Sequence, residues 1–291
     1  MIALRHLAPC KLRTSALVWS FRIGSCSIKN LGFLYVSDVT LFKLKLNSPL
    51  NSISRVAHSA TMAKSDPSLV SPDFCEIIVV RHGETEWNVD GRIQGHLDVE
   101  LNDVGRQQAA SVAGRLSREC NISAVYSSDL KRALETAETI TASCGVVEVS
   151  KDPGLRERHL GDLQGLTLLE APTVCTKAYK AFKSHYTNQE IPGGGESLDQ
   201  LYQRCTSSLQ CIAEKHMGQR VAVVTHGGVI RALCRRACPN GSYGGKVLNA
   251  SVNIFHLSSE GDWTIKSWCD VSHLDQAGVL KSGFGGDRLS G

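Results

Sequence analysis

Arg81-His82-Gly83-Glu84-Thr85-Glu86-Trp87-Asn88 sets an arginine and a histidine side by side after the β-branched run Cys75-Glu76-Ile77-Ile78-Val79-Val80. A histidine held there can attack phosphorus, because neutral imidazole is available near pH 7 and carries a lone pair. The attack requires cations around the three non-bridging oxygens, to neutralise charge and hold the group in line. Arg81 is adjacent to the histidine and Arg132 opens a segment of helical spacing, so both can make bidentate phosphate contacts. His226, in Thr225-His226-Gly227-Gly228, offers a further donor, and Asn88 an amide. A lone histidine after a strand is more often structural, and a lone arginine at a helix start is more often solvated. Their shared position at strand ends favours function.

A leaving alkoxide needs a proton, and the water that later attacks must lose one. Glu157, in Leu155-Arg156-Glu157-Arg158-His159-Leu160-Gly161-Asp162-Leu163-Gln164-Gly165, is the candidate donor and acceptor. Phosphate oxygens beside it would raise its pKa and keep it protonated. The duller reading is a surface glutamate paired with Arg156 or Arg158. No His/Cys cluster has metal-ligand spacing, and Cys234 and Cys238 stand alone, so no metal is expected. Gly193-Gly194-Gly195 lacks the Lys-Ser/Thr of a phosphate loop and reads as a flexible turn beside the site.

The elements that must position these residues follow from periodicity. Helical spacing over Asn102–Arg118, opened by a polar cap, predicts one helix, and Asp129 is the expected cap of a second from Leu130 towards Ala142. Further helices are expected over 171–185 and 197–215, and after Gly228. Ala124–Tyr126, Val146–Val149 and Arg220–Val224 read as strands, while Val252–Leu257 and Trp263–Trp268 alternate like late edge strands around Glu260-Gly261-Asp262. Strands alternating with helices predict a three-layer α/β/α sandwich with a mostly parallel sheet. In such a sheet ligands bind beyond the carboxyl ends of the strands, where Arg81-His82-Gly83, Ser127-Ser128 and Thr225-His226-Gly227 all fall.

The chain has 291 residues, 21% charged and 42% apolar, a globular composition. No run of about 18 apolar residues occurs, which excludes a spanning helix. Eleven cysteines, an odd number without regular spacing, argue against a disulfide-stapled scaffold and for a reducing compartment. The formal net charge of +4 hints at an acidic macromolecule, but its distribution removes the hint. Met1 to Lys64 holds nine Lys/Arg, nine serines and one acid, Asp38; the remainder has 23 basic and 27 acidic residues, a net of −4. Neither nucleic acid nor membrane is therefore expected as a partner. Residues 1–72 read as leader and linker, and 73–291 as one catalytic domain. The leader has the composition of a chloroplast or mitochondrial transit peptide. Alternatively, translation starts at Met62 and the protein is cytoplasmic.

From Glu76 to about Gly283 the chain resembles the histidine phosphatase superfamily, in its phosphoglycerate-mutase-like branch. Arg81-His82-Gly83-Glu84-Thr85 matches the defining motif and Ser127-Ser128-Asp129-Leu130-Lys131-Arg132-Ala133 the second-arginine motif. Glu157 to Gly165 matches the acid motif and Thr225-His226-Gly227-Gly228 the second-histidine motif. Within the family it is similar to plant metal-independent phosphoserine phosphatases. The resemblance implies a phosphohistidine on His82, phosphate contacts from Arg81, Asn88, Arg132 and His226, and Glu157 as proton donor and acceptor. Gln94, Gly95 and Gly227 would line the phosphate pocket. It implies a small phosphate monoester as substrate and no cofactor, and a homodimer is compatible with it.

Mutases of the family carry a longer insertion after the acid motif, with a Lys and an Arg pair, and a Tyr where Leu160 stands. Here the segment Leu166–Ile191 is short and its only cations are Lys177, Lys180 and Lys183. A phosphomonoesterase acting on a small carboxylated ester is the expectation, ahead of a phosphoglycerate mutase and a silent phospho-ligand binder. Substrate choice is expected in Leu166–Glu196 and in the tail near His273.

Overall fold

The computed structural model describes residues 70–119, 121–241, 246–279 and 281. The leader, and with it the transit-peptide and Met62-start expectations, lies outside these residues, as does the glycine-rich tail at 283–286. Six strands, β1 (Phe74–Arg81), β2 (Ala124–Ser127), β3 (Val149–Lys151), β4 (Arg220–Thr225), β5 (Val252–Ser258) and β6 (Trp263–Asp270), form one sheet. Their order is β3-β2-β4-β1-β5-β6. The first four are mutually parallel, and β5 and β6 run antiparallel at one side.

Helices α1 (Glu86–Val89), α2 (Asp103–Glu119), α3 (Lys131–Cys144), α4 (Ala171–Val174), α5 (Thr176–Phe182), α6 (Leu198–Lys215), α7 (Gly227–Ala237) and α8 (Ser272–Ala277) surround the sheet. Strand alternation assigns the layers. Cys75, Ile77 and Val79 of β1 face Leu201, Leu209 and Ile212 of α6 and Ile230 and Leu233 of α7. Ile78 and Val80 face Val112 and Leu116 of α2 and Ala133, Ala137 and Ile140 of α3. Each fully buried isoleucine contributes roughly 1.5–3 kcal/mol. A separate small core of Ile93, Leu160, Leu163, Ala171, Ala178, Phe182 and Ile191 holds the segment after the acid motif together. The expected α/β/α sandwich is thus the fold.

Several local expectations are corrected. Asp129 does not cap α3: the Lys131 amide donates to Asp98 Oδ1 at 2.7 Å, and Asp129 pairs with Arg156 at 2.5 Å. The expected helix over 171–185 breaks at Cys175 into α4 and α5, and the third strand starts at Val149 rather than Val146. Of the two late strands only β6 is an edge, since β5 pairs with both β1 and β6.

The site depends on one close approach. Gly83, after β1, lies against Gly105 in the first turn of α2; a Cβ on Gly105 would sit 2.1 Å from the Glu84 carbonyl oxygen. Asn102 stitches the same junction: its amide donates to the Glu84 carbonyl at 3.0 Å and its Nδ2 to Glu84 Oε1 at 2.8 Å. A methyl group there must displace backbone, and overpacking of this kind typically costs about 1–3 kcal/mol. Gly105→Ala should therefore lower both the thermal midpoint and the turnover rate. Calorimetry with an initial-rate assay checks this, and a variant unaltered in both would remove the close approach from the argument.

Candidate active site

Strands β1 and β4 end level with one another, Arg81 opposite Thr225, so the next residues, His82 and His226, emerge side by side. Their rings lie 5.1 Å apart, and the His82 amide donates to the Thr225 carbonyl at 3.0 Å. Ser127 at the end of β2 is level with Val224, which brings Ser128 to the same rim. The sequence-predicted histidines thus meet because three parallel strands stop in register.

His82 Nδ1 lies 2.6 Å from the Gly83 carbonyl oxygen. A carbonyl has no proton to give, so Nδ1 is the donor. Burial, then the Arg132 and Arg81 guanidiniums, hold the ring well below the ordinary histidine value of 6.5. The ring is neutral at pH 7, and Nε2 carries the lone pair. His226 is equally buried and is held low by burial, Arg132, His82 and Arg81. Its Nε2 is hydrogen-bonded with Ser128 Oγ at 2.9 Å, while Nδ1 has no partner among the described residues. An orphaned ring nitrogen at this rim fits a ligand oxygen.

Arg132 is fully buried. Its Nη1 and Nη2 donate to the carbonyls of Leu97 and Gly95 at 3.0 and 2.8 Å, and Nε has no partner among the described residues. Burial lowers it to about 10, so it stays charged at neutral pH. Arg81 Nη1 donates to the Val247 carbonyl. Asn88 closes a capping box with Thr85, its Oδ1 accepting from the Thr85 amide at 3.1 Å, which leaves the Nδ2 donors for a ligand. Gly95 joins the site through its bond to Arg132, and the Oε1 of the adjoining buried Gln94 has no partner among the described residues. Gly227 opens α7. A helix N-terminus favours negative charge.

Glu157 follows the short 3-10 turn Pro153–Leu155 beyond β3. Its Oε2 accepts from the Gly228 amide at 3.1 Å and its Oε1 from the Arg158 amide at 2.8 Å. The carboxylate is therefore aimed at the start of α7 rather than paired with Arg156, which binds Asp129, or with the Arg158 side chain, whose Nε donates to the Glu196 carbonyl. The triple glycine is a turn in which Gly193 and Gly194 take φ of +85° and +77°, and the Asp162 amide donates to the Pro192 carbonyl at 2.9 Å. His273 is buried against Arg115 of α2, 3.5 Å from its guanidinium, in the contact between α2 and α8.

Sequence reasoning missed Asn249 and Thr136. Asn249 Nδ2 lies 3.0, 3.2 and 3.3 Å from the His82 carbonyl, the Gly83 carbonyl and Asn88 Oδ1. Thr136 Oγ1 accepts from the Gly83 amide at 3.1 Å. Neither residue carried a signal in the sequence: an asparagine ahead of a strand and a threonine on a helix are ordinary.

Two buried neutral histidines, a buried arginine and a carboxylate, gathered at the carboxyl ends of a parallel sheet, are the groups that the histidine phosphatase motifs call for. The family model "Histidine phosphatase superfamily (branch 1)" matches residues 77–271, and the chain belongs to this family. It is 63% identical over 219 residues to phosphoglycerate mutase-like protein 4 of Arabidopsis thaliana, covering 75% of this chain and 95% of that one. It is 52% identical over 223 residues to the metal-independent phosphoserine phosphatase of the same plant, covering 77% and 93%. Among solved structures, a phosphoserine phosphatase variant of Entamoeba histolytica in complex with phosphoserine superposes with a TM-score of 0.59 at 28% identity, covering 69% of this chain and 99% of that one.

Two fully buried neutral histidines make stability depend on pH. Unfolded, each ring binds a proton as pH falls below about 6.5; folded, His82 and His226 do not until well below that value. Stability is therefore complete above pH 6.5 and falls on acidification, by up to about 1.4 kcal/mol per pH unit for each ring between its unfolded and folded pKa. Thermal midpoints from pH 7.5 to 4.5 should decline, and the decline should be shallower in His226→Asn. Equal slopes for the two proteins would remove His226 from the account.

Proposed function

We propose that the protein is a metal-independent phosphomonoesterase that works through a phosphohistidine on His82 and acts on a small carboxylated phosphoester, phosphoserine foremost. The observation that carries this reading is the His82 tautomer: Nδ1 is committed to the Gly83 carbonyl, and Nε2 keeps its lone pair beside two guanidiniums. In the first step Nε2 bonds to phosphorus as the ester P–O bond breaks, and the Glu157 carboxyl gives its proton to the departing alkoxide. In the second, water attacks the phosphoryl group, Glu157 takes a proton from it, the P–N bond breaks and inorganic phosphate leaves. Arg81, Arg132, the His226 Nδ1 donor and the Asn88 amide neutralise charge on the transferring group.

The phosphatase reading is favoured over the mutase by the segment after the acid motif. Leu160 is buried in that segment's own core and presents no hydroxyl, and Lys177, Lys180 and Lys183 are all exposed. Phosphoserine is supported by the relatives that carry phosphoserine phosphatase in their names.

Purified protein in EDTA should release phosphate from phosphoserine, and an alkaline denaturing quench, in which a P–N bond survives, should trap labelled phosphate on the chain. His82→Ala should abolish both, a loss of at least about a thousandfold for removal of the nucleophile. Activity retained in that variant would sink the mechanism. Interconversion of 3- and 2-phosphoglycerate faster than phosphate release would make the protein a mutase, and trapping without turnover would make it a binder.

A further inference from the structure

We propose that Arg204, on α6, is a positioning residue for proton transfer by Glu157, with Glu196 as the anchor that fixes its guanidinium. The inference rests on the reading of Glu157 as the acid. A guanidinium has five N–H groups in one plane, and Arg204 makes five hydrogen bonds. Nε and Nη2 form a two-pronged ion pair with Glu196, at 2.6 Å to Oε1 and 2.8 Å to Oε2. Nη1 donates to the carbonyls of Gly154 and Arg156 at 2.9 and 2.6 Å, and Nη2 to the carbonyl of Glu157 itself at 2.7 Å. One side chain thus holds three carbonyls of the four-residue stretch that ends in the acid.

Glu196 completes the clamp from the other side. Its Oε2 accepts from the His159 amide at 2.8 Å, its own amide donates to the His159 carbonyl at 2.8 Å, and its carbonyl accepts from Arg158 Nε at 3.0 Å. The half-buried His96 adds a bond to the Glu157 carbonyl from Nε2 at 2.6 Å. The Glu157 main chain is therefore held on both flanks, while its carboxylate is aimed by the Gly228 and Arg158 amides. Arg204 touches no reacting atom in this arrangement. It acts by fixing where the carboxyl starts, and a displacement near 1 Å can cost about a hundredfold in rate.

A brace for the acid is distinguished from a brace for the whole fold by the leaving group. Serine departs as a strongly basic alkoxide that needs the proton, whereas 2,4-dinitrophenolate departs unprotonated. Single-turnover formation of the phosphoenzyme, read by an alkaline denaturing quench that preserves the P–N bond, isolates this step from the later hydrolysis. Phosphoserine and 2,4-dinitrophenyl phosphate are compared for the native chain, Arg204→Lys, Glu196→Gln and Glu157→Gln, with circular dichroism and thermal melts on each.

For Arg204→Lys, which keeps the charge but not the planar fork, the loss on phosphoserine should be about 10- to 100-fold. It should exceed the loss on the dinitrophenyl ester by at least about tenfold, the same selectivity that Glu157→Gln shows more strongly. Equal losses on both esters, or no loss on either, would overturn the positioning role. If Arg204→Lys does not fold, Glu196→Gln is judged by the same ratio. If Glu157→Gln itself lacks the selectivity, the acid assignment fails and the inference falls with it. If only the Arg204 and Glu196 variants lack it, the acid assignment stands and this inference alone is lost.

Discussion

The 2.6 Å contact between His82 Nδ1 and the Gly83 carbonyl is the interaction on which the rest of the site depends. It decides the tautomer, and the tautomer decides which ring nitrogen keeps its lone pair. A carbonyl one residue away in sequence would wander with its loop unless the loop were fixed, and much of the surrounding structure fixes it. Asn249 donates to that same oxygen and to the preceding carbonyl, Thr136 accepts from the Gly83 amide, and the first turn of α2 closes over Gly83 with no room for a side chain. Thr136 Oγ1 also donates to the Arg132 carbonyl, so the His82 loop and the buried arginine are referenced to one turn of α3. Orientation of the imidazole and placement of the cation are thus one mechanical problem with one solution.

What was legible in the sequence is what depends on neighbours along the chain. The buried β-branched runs announce β1 and β4, and the motifs that follow them fall at the strand ends because a parallel sheet leaves its carboxyl rim for ligands. What was not legible depends on approach through space. Asn249 acts on a carbonyl 167 positions away, and no spacing rule reaches that far. Asp129 looks like a cap because it precedes an apolar-periodic run, yet a better-placed carboxylate, Asp98, comes from a loop 33 positions upstream and leaves Asp129 to Arg156. Arg204 and Glu196 read as polar residues at the start of an amphipathic helix, with nothing to show that the acid motif lies beneath them. β5 misleads for a related reason: alternation reports which face a residue takes, not whether the strand has one neighbour or two.

Charge has the same local character. Beyond Lys64 the chain carries a net of −4, yet its site gathers two arginines around two neutral histidines at the end of a sheet. Desolvation opposes the buried Arg132 cation and lowers it to about 10.

How the arginines are held separates Arg132 from Arg156 and Arg204. Both terminal nitrogens of Arg132 go to carbonyl oxygens, those of Leu97 and Gly95. Carbonyl dipoles orient a guanidinium without cancelling its charge. Arg156 and Arg204 are instead forked onto Asp129 and Glu196. Their charge is already answered, and what remains is geometry: planar groups that tie the segment carrying Glu157 to α6 and to the residues just before α3. The same side chain therefore performs two tasks at one rim, and its partner, neutral or charged, decides which.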